Sequence, residues 1–174
     1  MKTVAGLAPV LSLLAAFSVV APGADAQQIP TEETAPTARN AFYIELLGNG
    51  LLYSVNYDRL FADQISGRVG LMVIGAANDS SAAAVIAAPI MANYLFGRGN
   101  SHFEAGVGIT LMTGAVENVE EIEDEGFSGA VGTATLGYRY QRPDGGFIFR
   151  AGLTPFFGRG GIVPWFGLSF GYGF

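Results

Sequence analysis

The chain contains no cysteine. That excludes disulfides, thiolate metal sites, a cysteine nucleophile and a lipid anchor on an N-terminal cysteine. Bases are scarce: nine Lys and Arg stand against fifteen Asp and Glu, for a net charge of −6. Nucleic acid is therefore not an expected partner, because phosphate neutralisation needs clustered cations. Charged residues of both signs together make up 14% of the chain, well below the quarter or so usual in soluble domains. With one histidine and no phosphate-binding loop or dinucleotide fingerprint, neither a metal nor a cofactor is expected. After residue 26 no apolar run reaches the roughly 20 residues of a spanning helix.

What remains is apolar and glycine-rich, with 50% hydrophobic residues and 25 glycines. Residues 1–26 read as a secretory signal peptide. Lys2 provides the positive start, Val4 to Val20 the apolar run and Ala24-Asp25-Ala26 a small-x-small cleavage site. Residues 27–40 are polar, contain two prolines and show no periodicity, as expected of a flexible periplasmic leader. An exported, apolar chain without a spanning helix points to a transmembrane β-barrel. In lipid only helices and closed barrels pair every backbone polar group.

From Ala41 to Phe174 the sequence breaks into eight alternating segments divided by turn signals. They run Ala41–Leu47, Leu51–Phe61, Ile65–Gly75, Ala83–Phe96, His102–Thr113, Phe127–Gln141, Gly146–Phe157 and Pro164–Phe174. Most are long enough for a tilted strand of about 9–11 residues to cross a bilayer. Gly48-Asn49-Gly50 reads as a tight first turn. Ala62-Asp63-Gln64, Gly97 to Asn100 and Arg142 to Gly145 read as short periplasmic turns. Ala76–Ala82, Gly114–Gly126 and Gly158–Val163 read as longer outer loops. The expected fold is all-β: a closed antiparallel up-and-down transmembrane barrel of about eight strands.

Side-chain bulk tells the two faces apart. In the last segment Pro164, Phe166, Leu168, Phe170, Tyr172 and Phe174 alternate with Trp165, Gly167, Ser169, Gly171 and Gly173. An eight-stranded barrel has an interior just wide enough for side chains. The small set therefore belongs inside and the large set faces lipid. The same parity puts Phe103, Val107, Ile109 and Leu111 outside, against His102, Glu104, Gly106 and Thr110. Aromatics gather at the segment ends, as two bilayer girdles would require. Pro89 lies inside the fourth segment, where it suggests a bulge.

The segment ending PWFGLSFGYGF resembles the C-terminal strand of small eight-stranded outer-membrane barrel proteins. The resemblance covers Ala41 to Phe174. It implies an outer-membrane location, contact with outer-membrane lipids, and an assembly signal at Leu168, Phe170, Tyr172 and Phe174 for the barrel-assembly machinery. It sets no oligomeric state.

Parity also places Glu45, Asp58, Arg68, Glu104, Arg139 and Arg150 in the lumen, three acids with three bases. Asp58 and Arg68 are expected to be near neighbours, as are Glu104 and Arg139, with Arg150 one strand further. Such a set makes a polar plug or, alternatively, a gate. Ser54, Met72, Thr110, Met112, Thr154 and Trp165 would line the outer mouth. Arg59 falls on the outward face near the periplasmic rim. Residues 116–125 hold six acids and no base, a solvated loop or a collector of cations or a basic partner. His102, the sole histidine, has Ser66 and Ser101 as possible serine neighbours, a poor start for acyl-transfer chemistry. The expected role is structural or surface-interacting and non-enzymatic. The alternatives are a narrow channel or small-ligand-binding barrel, a lipid-modifying enzyme, and a soluble periplasmic lipocalin-like barrel.

Overall fold

The computed structural model describes residues 36–77, 81–118 and 125–174. The span read as a signal peptide, the span read as a leader up to residue 35, residues 78–80 and the centre of the acidic segment lie outside the described residues. Ten strands form one antiparallel sheet. They are β1 (Asn40–Leu47), β2 (Tyr53–Ala62), β3 (Ile65–Ala77), β4 (Ser81–Phe96), β5 (Ser101–Asn118), β6 (Glu125–Gln141), β7 (Gly146–Leu153), β8 (Phe156–Gly158), β9 (Gly161–Val163) and β10 (Phe166–Gly173). A single 3-10 turn, η1 (Gly48–Gly50), joins β1 to β2.

Each long strand pairs with the next, and β10 pairs with both β7 and β1, so the sheet closes. β8 and β9 form a short hairpin that prolongs β7 and β10. The ring is thus eight strands around. Closure is tied at one end by reciprocal bonds between Asn40 and Phe174, at 2.9 and 2.8 Å. That end, with its three tight turns, is called lower; the end bearing η1 is upper.

Alternation decides which side chains turn inward. On β2, Tyr53 and Val55 are exposed while Ser54, Asn56 and Asp58 are buried. On β10, Phe166, Leu168, Phe170 and Tyr172 are exposed and Ser169 is buried. A soluble barrel with its large apolar residues inside is overturned by this arrangement. The exterior is Phe, Ile, Leu, Val and Tyr; the interior holds all six expected charged residues. Toward the lower end the exterior rings touch one another. Tyr94, Phe96 and Phe103 lie 4.6 and 5.9 Å apart in succession, and Tyr138, Phe149 and Phe170 lie 6.4 and 5.5 Å apart.

Several boundaries differ from expectation, each for a local reason. β5 and β6 run on to Asn118 and from Glu125, so much of the span read as the loop Gly114–Gly126 is paired strand. Alternation there is weak, but cross-strand pairing needs none. Pro89 makes no bulge. The β3–β4 ladder lapses opposite it but resumes in the same register, from Val69↔Ile90 to Met72↔Ala87. The proline faces the lumen, and Gly70 opposite leaves room for its ring. The bulge that does occur is at Leu60–Ala62 in β2. At the lower end of the leader, the Thr37 and Ala38 amides both donate to the Pro143 carbonyl at 3.0 Å. The adjoining turn is clasped by Arg142 and Asp144, and that hydrogen bond holds the Asp144 carboxyl below its ordinary range.

The lumen has no spare width. A side chain at Gly171 would overlap the Phe42 carbonyl and the Tyr43 side chain. Because the first obstacle is backbone, Gly171→Val is expected to exceed the roughly 1–3 kcal/mol usual for overpacking. The folded, heat-modifiable band on a gel should then be lost, whereas the outward change Leu168→Val should keep it.

Candidate functional site

The lower lumen is a layer of ion pairs that reach across the barrel. Asp58 on β2 faces Arg68 in register, as near neighbours should, but their charges are paired with other residues. Arg139, four strands away on β6, donates to both Asp58 oxygens at 2.9 and 3.2 Å. Arg68 turns upward and donates to Glu45 at 3.0 Å. The exchange has a steric reason. Directly opposed side chains in a ring this narrow project toward the axis, where partners from the far wall are as close as neighbours.

Glu104 joins the remaining two bases. Arg150 donates to it through two nitrogens, each at 2.8 Å, and Arg139 through one at 3.4 Å. Arg150 also donates to the Tyr43 hydroxyl and lies 4.8 Å from the Tyr43 ring centroid. Gln141 accepts from Arg139 at 2.8 Å and Ser66 donates to Asp58 at 3.2 Å. All six charged residues are almost completely buried. Burial of ions is tolerable only when each is paired and its remaining hydrogen-bonding capacity is used. Three carboxylates against three guanidinium groups balance the charge, and the Arg68 Nε is the one nitrogen among them left buried without a hydrogen-bond partner.

The upper lumen contains what sequence reading missed. Gly48-Asn49-Gly50 is no exposed turn; all three residues of η1 are buried. Asn49 is its anchor. The Asn49 side-chain amide donates to Thr133 Oγ1 at 2.6 Å and to the Ala134 carbonyl at 3.0 Å, both on β6. Its oxygen accepts from Arg68 and, at 3.1 Å, from Thr135. The Asn49 backbone N–H donates to Glu45 at 3.2 Å, and its carbonyl accepts from Thr110 at 2.8 Å. Thr110 is on β5, opposite β1 in the ring, so η1 bridges the full width of the barrel.

Turning the chain inward strains it. Leu47 and Leu51, on either side of η1, have φ of 57° and 77°. Side-chain-bearing residues rarely hold such values, at a cost of about 1–3 kcal/mol each. Gly48, at φ +74°, is free of that cost and also makes room, since a Cβ there would overlap the Glu45 carboxyl group. Trp165 fastens the second hinge by donating from its ring nitrogen to the Leu51 carbonyl at 3.1 Å. Of the expected mouth residues, Ser54, Met72, Thr110 and Thr154 are buried, while Met112 and Trp165 are half-buried. The mouth they were to line is occupied. The signal that could have disclosed this is the absence of any charge between Leu46 and Tyr57, unusual for a solvent turn.

Between the two layers lies a cavity of about 10 Å³, bordered by Glu45, Glu104, Thr135, Arg150 and Ser169. It has space for at most one water. The elements of acyl-transfer chemistry are not assembled. The Ser66 hydroxyl bonds to Asp58 and that of Ser101 to Tyr138, while His102 Nδ1 has no hydrogen-bond partner among the described residues. Among the described residues no three His, Cys, Asp or Glu side chains group as metal ligands. Arg59 is exposed and bonds to Asn40 at 3.2 Å.

Comparison with protein-family models and with curated proteins finds no match. Solved structures do match in fold. The N-terminal β-barrel domain of Pseudomonas aeruginosa OprF superposes with a TM-score of 0.55 at 17% identity, over 79% of this chain and 100% of that one. Ail, the attachment invasion locus protein of Yersinia pestis, gives 0.51 at 12% identity, over 79% and 99%. A second Ail structure, in complex with the heparin analogue sucrose octasulfate, gives 0.54 at 13% identity, over 79% and 97%. The chain therefore has the fold of eight-stranded outer-membrane β-barrels.

The lumen pairs and the rim pairs should differ sharply in worth. Glu104→Ala leaves Arg139 and Arg150 short of a buried counter-charge, and about 3–5 kcal/mol of stability should be lost. Arg39→Ala breaks an exposed pair with Asp63 at 3.2 Å, and about 0–1 kcal/mol should follow. Urea unfolding in lipid vesicles would measure both.

Proposed function

We propose that this protein is a structural or surface-interaction barrel of a bacterial outer membrane, without enzymatic activity and without a standing pore. The observation behind this reading is the filled lumen: ion pairs below, η1 above and a cavity of about 10 Å³ between them. An apolar exterior with aromatic rings near one rim suits a lipid surround. The narrow-channel reading lacks a path, and the lipid-enzyme reading lacks a serine engaged by His102.

In this reading the lower end faces the periplasm. Leu168, Phe170, Tyr172 and Phe174, all outward-facing, serve both as lipid contacts and as the signal to the barrel-assembly machinery. The upper end meets partners. Its chemistry differs from what the sulfated ligand of Ail would require. Residues 116–125 bring six acids, and Arg159 is the sole base of the span Gly158–Val163. A basic or neutral partner fits that surface better than a polyanion, because like charges across an interface oppose binding.

Two measurements test the reading. Cell fractionation should place the protein in the outer membrane, with a band whose mobility changes on boiling. The purified protein in planar bilayers should add no stepwise current to that of the bare bilayer. Recovery in the soluble periplasm, or steady unitary conductance, would sink it.

A further inference from the structure

The arrangement of η1 supports more than a filled lumen, and the inference does not depend on which partner the surface meets. Three features coincide there. The segment enters the barrel from the top and touches the walls through polar groups, mainly those of one side chain, Asn49. Both residues that turn the chain inward, Leu47 and Leu51, sit at positive φ, so both would relax if the segment left. Beneath and around it lies a set of buried polar groups, Glu45, Ser54, Arg68, Thr110, Thr133 and Thr135; Glu45 also holds Ser54 and Arg68, whereas Thr110 and Thr135 bond to Asn49. A permanent filler of this space would need no strained hinges, and apolar side chains would fill it as well.

We propose that η1 is a removable stopper. Asn49 is the latch, Leu47 and Leu51 are strained hinges, and swinging out uncovers a polar chamber open to the upper side. The chamber is a cup and no channel, because the Asp58–Arg139–Glu104–Arg150 layer still closes its floor. Its walls suit a small ligand with a carboxamide. In the stoppered state the Asn49 amide already occupies that place, donating to Thr133 and the Ala134 carbonyl and accepting from Arg68 and Thr135. The stopper is in this sense an internal ligand, held against the strain of its own hinges.

The chain has no native thiol, so a single introduced cysteine reports access cleanly. Ser54 is fully buried beneath Gly50, and Ser54→Cys is a near-isosteric reporter. The probe is a water-soluble, membrane-impermeant maleimide added to the full-length mature protein in lipid vesicles. The expected result is slow labelling of the reporter alone and a rate on the order of tenfold higher when Asn49→Ala is added, since bonds to a charged group are among those lost. Leu51→Gly should act oppositely and slow labelling, because glycine holds a positive φ without strain. Ser169→Cys, buried on the opposite side of Glu45 in register, is a second reporter if Ser54→Cys perturbs folding. Equal labelling with and without Asn49→Ala, in protein that keeps its folded gel mobility, would overturn the proposal. So would faster labelling from Leu51→Gly. If Asn49→Ala and Asn49→Ser both fail to reach the folded mobility, η1 is a fixed folding element and the stopper is equally overturned.

Discussion

The narrow bore of an eight-strand ring governs this molecule. Once β10 pairs with β1 the interior volume is set, and every inward side chain must fit within it. Large and small residues therefore alternate between facing strands. Tyr43 lies against Gly171, Asn56 and Pro89 against Gly70, and Asn93 against Gly106. The abundance of glycine is in large part a record of this constraint. It also explains why most of the big apolar residues stand outside, the interior admitting only a few such as Met72, Met91, Leu95 and Ile148.

Narrowness makes the interior electrostatics workable as well. Asp58 and Arg139 face each other across the bore at hydrogen-bonding distance, and Glu104 is gripped by two arginines. In a wider barrel these groups would be hydrated and only loosely coupled. Here they are close enough to satisfy one another, and the balance of three acids with three bases removes the heaviest penalty of burying charge. The upper lumen is filled differently, by backbone turned inward at η1. Its bonds to Thr110, Thr133, Thr135 and Arg68 offset the strain at Leu47 and Leu51.

Function follows from what is shut and what is presented. The proposed surface role rests on a filled lumen, an apolar outer wall and the six acids of residues 116–125. The likeness to the OprF barrel domain and to Ail extends over the ring of strands. Identities of 17% and 12% carry over the shape alone, so the character of the surface must be read from this chain's own residues.

The alternation of bulk along β2, β5, β7 and β10 disclosed by itself the inside-out faces, and the same parity carried to β1, β3 and β6 assigned Glu45, Arg68 and Arg139 to the lumen beside Asp58, Glu104 and Arg150. A period of two is a local property, legible wherever one face is large and the other small. The same local reading put Phe166, Leu168, Phe170, Tyr172 and Phe174 on the outer wall, where they are exposed. Which charge meets which was a different matter. Adjacent strands do set Asp58 beside Arg68 in register, but ring closure supplied Asp58 with Arg139 as its partner. Likewise Gly-Asn-Gly between two strands is locally a turn, and nothing in three residues says that a turn bends inward. Only the closed barrel decided that, because apart from Glu45 on β1 the polar partners that draw Asn49 into the lumen belong to β3, β5 and β6, from 19 to 86 residues away in sequence.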